Sequence, residues 1–441
     1  MKVLIIGRGG REHAIAWKIA QSPLHPQLFI APGNEGMRTI TTAPVELVPI
    51  DENNTSELLK FAMEQKIDLT IVGPEAALMN GIADAFQEAG LPIFAPTRAA
   101  ARIEGSKQFA KELMQRYNIP TAGFRTFENY DDAKRYLDET GAPIVIKYDG
   151  LAAGKGVVVA MTTEEADNAL KDMLLDNHFG QGKVVMEEFL EGPEFSLLTL
   201  VNGQQVVPLV IAQDHKRAYD GDKGPNTGGM GAYSPVPVIP QEQIDWAVEH
   251  IMKPMAKALA EEGCPFCGVL YGGLMLTQAG PKVIEFNARF GDPETEVVLP
   301  KLKSDLLQMI LDILQHRDVN PEFHSEAFLG VVLAANGYPG KYGKGFEIKN
   351  LENLNQLVFH MGTKRENDKW LSNGGRVLFV VGKGATLAEA HRDAYEGVQK
   401  LDCPDLFYRS DIGWQAFTVI LYALYQCIDS LKSEAVILST V

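Results

Sequence analysis

The sequence predicts an α/β protein of several domains, α+β in part, on three observations. Between residues 1 and 100 short apolar runs alternate with helix-length runs, the pattern of a parallel sheet covered on both faces. The 441 residues exceed what one core ordinarily holds and suggest two to four domains. Further on, a strand-like run ends in Glu285-Phe286-Asn287-Ala288-Arg289, with three polar side chains at alternate positions.

Apolar content of 46% with 22% charged residues is ordinary for a globular chain, and a formal charge of −16 argues against a surface built for nucleic acid. Val3-Leu4-Ile5-Ile6 is too short for a secretory core and runs straight into a glycine turn. Four cysteines make no disulfide scaffold, and Cys264-Pro265-Phe266-Cys267 reads as free thiols in the cytosol rather than a zinc or redox site.

Strands fit 2–6, 27–31, 45–50, 68–72 and 92–95, and helices fit 12–21, 55–65 and 76–89. The first turn, Gly7-Arg8-Gly9-Gly10-Arg11-Glu12-His13, misses the dinucleotide fingerprint because Glu12 stands where the third glycine belongs. It still brings backbone N–H groups at a helix start towards an anion. Two further loops end strands of the same sheet, Ala31-Pro32-Gly33-Asn34 and Val72-Gly73-Pro74-Glu75. Ligands of open parallel sheets sit beyond the carboxyl ends of the strands, so the three loops predict one cleft for a phosphate-bearing molecule. The alternative is a set of tight turns, with Glu75 only a helix-start charge.

From Ala99 the pattern changes. Ser106-Lys107 opens a helix over 107–117, and a strand at 144–147 leads into Asp149-Gly150-Leu151-Ala152-Ala153-Gly154-Lys155-Gly156 before a strand at 157–160. Those glycines make a hairpin flap whose backbone can approach phosphates closely, and Lys147 and Lys155 add positive charge. It is no Walker loop, because it passes from strand to strand. The strand beginning at 184 has a polar exit, Glu187-Glu188-Phe189-Leu190, suited to a nucleotide base, with a carboxylate further on for ribose hydroxyls. Strands at 195–201 and 206–212 precede a long polar loop, 213–231, read as an ordered substrate loop without secondary structure.

Helix 241–261 and strand 268–277 deliver the 283–287 strand. Alternation puts Glu285, Asn287 and Arg289 on one face. Glu285 and Asn287 offer oxygen to a hard cation, and Arg289 offers a fork to phosphate. Helices near 294–300 and 304–315, strands at 329–335, 356–361 and 375–382 and a helix at 387–400 complete the pass, with Gly382-Lys383-Gly384 read as a turn.

Together, GRGGREHA at 7–14, VGPE at 72–75, GSK at 105–107 and the runs 144–156, 214–235 and 283–294 resemble the ATP-grasp carboxylate–amine ligases. The nearest branch joins glycine to 5-phosphoribosylamine in purine biosynthesis, and the resemblance spans residues 1 to about 415. It implies an N-terminal domain at 1–103 on the phosphoribosylamine side. A two-lobed ATP-grasp domain would follow at 104–325, with a mobile lobe at about 120–187, then a small mixed, barrel-like domain at 326–415. ATP would lie under the flap, with Lys107, Lys147, Gly154, Lys155 and Gly156 at its phosphates. Glu187, Glu188, Phe189 and Leu190 would hold adenine and Glu194 the ribose. Glu285 and Asn287 would hold Mg²⁺ or Mn²⁺. Arg289, Lys147, Asp214 and Lys216 would act at the reacting carboxylate, bordered by Gly229, Met230 and Gly231. Gly9, Gly10, Arg11, Glu12, Gly33, Asn34, Pro74 and Glu75 would receive phosphoribosylamine. The implied enzyme is a cytoplasmic monomer with no nucleic-acid or membrane partner.

Two features depart from the family pattern. Tyr148 stands where a small residue is usual, and the chain runs on past Trp414 through an apolar stretch at 416–425 that is too short to span a bilayer. An ATP-grasp ligase with another amine acceptor is the competing enzyme reading. A non-catalytic regulator would be expected to lack a metal ligand or flap lysine, and neither is missing.

Overall fold

The computed structural model describes residues 1–150, 156–176, 180 and 182–418. Its N-terminal sheet is all parallel, in the order Val45–Leu47, Gln27–Pro32, Lys2–Gly7, Leu69–Val72, Ile93–Phe94. The apolar first strand is central, covered on both faces. Strand order reverses beside it, so the loops following Lys2–Gly7 and Leu69–Val72 meet at the switch point. The helix expected over 76–89 is two, Glu75–Met79 and Ile82–Glu88, because Gly81 adopts φ +82° between them. A helix not anticipated, Arg98–Gly105, passes directly into Lys107–Arg116 at Ser106, whose hydroxyl accepts from the Phe109 N–H at 3.1 Å.

Two antiparallel sheets form the central region. The smaller lobe orders Phe124–Phe127, Val184–Glu188, Ile144–Tyr148 and Val157–Ala160 over its own apolar core, backed by helices Tyr130–Thr140 and Thr163–Leu174. The base of the expected flap is a hairpin, with Tyr148 N–H donating to Gly156 O at 2.8 Å. Its tip, including Gly154 and Lys155, lies outside the described residues. The bulk of Tyr148 is taken up by glycines: a Cβ on Gly182 would stand 2.6 Å from its ring. The second sheet orders Gln205–Pro208, Glu194–Asn202, Cys267–Thr277 and Gly280–Asn287, so the strand expected to reach residue 212 ends at Pro208.

The 213–231 segment is not without secondary structure. It holds strand Gln213–Asp214 and the hairpin Arg217–Tyr219/Lys223–Asn226, and strand Gly231–Ser234 follows. Gln213–Asp214 and Gly231–Ser234 extend the sheet of Ala327–Ala335, Arg376–Gly384 and Leu357–His360, so the loop is woven into the C-terminal region. Gly382-Lys383-Gly384 ends a strand rather than making a turn. Gly382 lets helix Leu387–Lys400 lie on that strand, since a Cβ there would stand 2.1 Å from Ala390 O. Among the described residues no helix is long and apolar enough to cross a membrane. Beyond residue 418 the C-terminal extension lies outside the described residues.

The N- and C-terminal regions meet through two buried histidines. His360 N–H donates to His13 Nδ1 at 3.0 Å, and His360 Nδ1 lies 2.8 Å from Thr363 Oγ1. Burial holds both imidazoles below their ordinary value, His360 at about 4. With the folded pKa depressed, stability is fully present above pH 6.5 and is lost as pH falls towards 4, because the unfolded chain takes up the proton first. His360 alone should cost on the order of 2 kcal/mol between pH 7.5 and pH 5. Urea unfolding at the two pH values checks this; a His360→Asn variant losing as much as wild type would contradict it.

Candidate active site

A cleft of about 1110 Å³ opens between the two central sheets. One end is apolar, walled by Ala122, Val145, Val159, Leu190, Met275 and Phe286. The Glu187 carboxylate is not offered to a ligand there. It is buried, with Oε2 2.8 Å from Lys111 Nζ and Oε1 2.9 Å from Lys147 Nζ. Lys111 also donates to Thr121 Oγ1 at 2.7 Å, and burial, opposed by Glu187, holds its ammonium at about 8. Glu188 N–H is spent on Gly123 O at 2.8 Å, and Phe189 and Leu190 follow along the cleft wall.

The other end is charged. Lys147 Nζ donates to Ile284 O at 2.8 Å and Lys107 Nζ to Gly150 O at 3.0 Å, which ties both lysines to the backbone beside the cleft. Lys216 Nζ lies 3.2 Å from Glu194 Oε2. Burial works against the Glu285 charge, but Lys216, Lys147 and Lys107 overcome it and hold the carboxyl below the usual range. Burial likewise opposes the Lys216 ammonium, yet Glu194, Asp214 and Glu285 raise its pKa well above the ordinary value. Asp214 is pushed up to about 7 by burial, against the pull of Lys216.

Simple alternation does not place Glu285, Asn287 and Arg289. Gly273 faces Glu285 while Leu274 faces Val283, so Ile284 is bulged and both Ile284 and Glu285 line the cleft. The strand ends at Asn287. Arg289 lies beyond it with its fork occupied, Nε 3.4 Å from Glu75 Oε2 and Nη2 2.8 Å from Glu104 Oε1. It braces the N-terminal loops against the cleft, and Glu104 Oε2 accepts from Ala288 N–H at 2.8 Å.

Of the residues expected at the N-terminal loops, Arg11 and Glu75 line this cleft, whereas Gly9, Gly10, Glu12, Gly33, Asn34 and Pro74 do not. Glu12 is buried as a plug, with Oε2 accepting from Gly9 N–H at 2.6 Å and Oε1 2.6 Å from Arg11 Nε. The room for it comes from Gly73, where a Cβ would stand 1.9 Å from Glu12 Oε1. Asn34 is a clasp: its Nδ2 donates to Arg8 O at 2.7 Å and His360 O at 3.0 Å, while Oδ1 accepts from Gly36 N–H at 2.9 Å. Met230 is fully buried in the core, and Gly229 gives way to Pro293, which a Cβ would approach to 2.3 Å.

Several cleft residues escaped the sequence reading. Glu294 is buried, and its Oε1 accepts from Ser196 Oγ at 2.9 Å and Tyr271 OH at 2.7 Å. Arg376 Nη1 lies 2.8 Å from Asp292 Oδ1 and donates to Gly228 O at 2.7 Å. Glu294 and Asp292 belong to the 283–294 run that carried the resemblance, and Glu104 immediately precedes Gly105-Ser106-Lys107. Arg376 and Lys111 had no local signal.

Two sheets gripping one charged cleft place the chain among the ATP-grasp enzymes, which use ATP with a divalent cation. Comparison with known proteins narrows the class. Residues 1–104, 105–295 and 328–415 match the N, ATP-grasp (A) and C domains of phosphoribosylglycinamide synthetase. A phosphoribosylamine–glycine ligase of Halalkalibacterium halodurans is 55% identical over 420 residues, covering 94% of this chain and 97% of that one. One from Listeria innocua is 52% identical over 422 residues, covering 94% of this chain and 100% of that one. The crystal structure of phosphoribosylamine–glycine ligase from Thermotoga maritima superposes with a TM-score of 0.82 at 34% identity, covering 94% of this chain and 100% of that one. A biotin carboxylase from Campylobacter jejuni shares only the fold, with a TM-score of 0.71 at 13% identity over 92% of each chain. The chain belongs to the phosphoribosylglycinamide synthetase family.

Proposed function

We propose that the chain uses ATP to join glycine to 5-phosphoribosylamine, giving glycinamide ribonucleotide, ADP and phosphate, with glycyl phosphate as the intermediate. The observation that carries this reading is that Lys107, Lys147, Lys216 and Glu285 line one cleft together with Arg11 and Glu75 of the N-terminal loops. A carboxylate is a poor electrophile because oxide is a very poor leaving group. A glycine oxygen attacks the terminal phosphorus of ATP, and ADP departs. The amine of phosphoribosylamine then attacks the carbonyl carbon, the bond to phosphate oxygen breaks, and the nitrogen sheds a proton. No protein nucleophile is required.

The work of the side chains is positioning and charge neutralisation. Lys107 and Lys147, held by backbone carbonyls, meet the phosphates, and Lys216 with Asp214 borders the glycine carboxylate. The apolar end takes adenine between Val145, Val159 and Phe286, against the exit at Phe189 and Leu190, with Glu194 near the ribose. Among the described residues no three His, Cys, Asp or Glu side chains gather as a metal cage. A Mg²⁺ ion needs none, since it takes one or two protein oxygens and completes its shell with phosphates and water. An ionised Glu285 and the Asn287 carbonyl fit Mg²⁺ or Mn²⁺, which when bound neutralises phosphate charge. Residues 1–103 receive phosphoribosylamine at Arg11 and Glu75, and the lobe at about 120–187 closes over ATP. A monomer in the cytoplasm completes the reading.

Glycine labelled with ¹⁸O in its carboxylate tests the intermediate. One labelled oxygen should appear in the phosphate for each amide formed. Unlabelled phosphate alongside labelled amide would contradict the acyl phosphate.

A further inference from the structure

Hairpin Arg217–Tyr219/Lys223–Asn226 forms part of the cleft wall next to Asp214 and Lys216. Arg217, Asp222 and Asn226 line the cleft, while Tyr219, Asp220, Gly221, Lys223, Gly224 and Pro225 are exposed and do not line it. Its own ladder is short and irregular, with Arg217 opposite Asn226 and Tyr219 opposite Lys223 and a register shift between them. Two residues in a ribbon of this kind do not hold it in place.

The anchor comes from the far end of the chain. Arg409 is 0% exposed and spreads its guanidinium over three partners. Nη1 donates to Asp222 Oδ1 at 2.8 Å and Arg217 O at 3.1 Å, while Nε and Nη2 donate to the two oxygens of Asp411 at 2.7 and 2.8 Å. Asp411 Oδ2 in turn accepts from Gly221 N–H at 2.8 Å, and Ser410 N–H donates to Asp220 Oδ1 at 2.8 Å. Gly413 N–H donates to Nε2 of the buried His215 at 2.8 Å, and His215 sits between Asp214 and Lys216. One short segment thus fixes both the wall and the two charged residues behind it. Packing alone would be served at lower cost by an apolar side chain, because a buried guanidinium forfeits its hydration. Its directed bonds set the position of the hairpin.

We propose that Arg409 is a positioning residue that holds this hairpin as the barrier between the acyl phosphate and water, so that ATP use stays coupled to ligation. The proposal rests on the glycyl phosphate reading above. With the wall displaced, water attacks the glycyl carbonyl carbon and the bond to phosphate oxygen breaks. Glycine, phosphate and a proton result, and an ATP is consumed with no amide made.

The test uses the full chain with saturating Mg-ATP, glycine and freshly generated phosphoribosylamine, and measures ADP and glycinamide ribonucleotide together. Wild type should form one ADP per amide. Arg409→Gln should raise that ratio to about two or more, and the isosteric Asp411→Asn, which weakens the same clamp, should raise it less. Lost folding alone lowers both products in proportion and leaves the ratio at one. Should Arg409→Gln fail to fold, Asp411→Asn decides by the same ratio. A ratio of one in every folded variant, with turnover lowered or not, would overturn the proposal. Absence of any amide from wild type would overturn the functional reading and this proposal with it.

Discussion

Glu285→Gln should lower turnover about 10³-fold while the chain stays folded. The carboxylate shares the cleft with Lys107, Lys147 and Lys216, whose positive charge holds it below the usual carboxyl range against the effect of burial. Its amide replacement keeps the volume but removes the charge that balances three ammonium groups, together with the better of the two oxygens offered to a cation. Binding of the triphosphate uses the same lysines and should survive better than phosphoryl transfer does. Steady-state kinetics set beside the urea midpoint separates the two effects. Near-wild-type turnover would remove Glu285 from the reacting centre.

Arg289→Ala should cost both turnover and about 3–5 kcal/mol of stability. The stability loss comes from what the guanidinium touches. Glu104 is enclosed, 2.8 Å from Nη2, and burial already raises its pKa against the pull of Arg289. Removing the arginine leaves that carboxyl without its main counter-charge and frees Glu75 from the cleft wall. Turnover should fall about 10²-fold or more because the N-terminal loops, which the proposed function assigns to phosphoribosylamine, lose their brace. Denaturant unfolding checks the first claim, and Arg289→Ala/Glu104→Ala should recover part of the loss. Equal midpoints for wild type and Arg289→Ala would show that the brace carries no load.

The N-terminal sheet was legible because residues 3–6, 28–31 and 69–72 are largely apolar runs alternating with helix-length segments, and the loops at its carboxyl edge follow from topology. The place of Glu285 and Asn287 on the cleft was legible for a similar reason, as polar residues set into an apolar strand. The bulge at Ile284 was not, since it is set by how the partner strand pairs at Gly273 and Leu274. Arg289 shows the same limit: its residue type announced an anion, but whether it meets a substrate phosphate or Glu75 and Glu104 depends on segments 180 or more positions away. Glu12 and Asn34 sit in ligand-like glycine turns, yet both bond within the protein: Glu12 to the nearby Gly9 N–H and Arg11 guanidinium, and Asn34 to Arg8 O and to His360 O, which only the folded chain brings to it. The 213–231 segment looked like loop because its strands are short and glycine-rich, and its order comes from pairing with Ala327–Ala335 and from Arg409.

In the proposed reaction this cleft activates glycine and delivers it to the amine of phosphoribosylamine. ADP release by the purified chain with Mg-ATP and glycine, with and without freshly generated phosphoribosylamine, tests it most directly. Rapid ADP and phosphate formation only when both substrates are present, with glycinamide ribonucleotide accumulating in equal amount, is the predicted result. ADP formation at the same rate without phosphoribosylamine, or tight ATP binding with no amide from that acceptor, would contradict it.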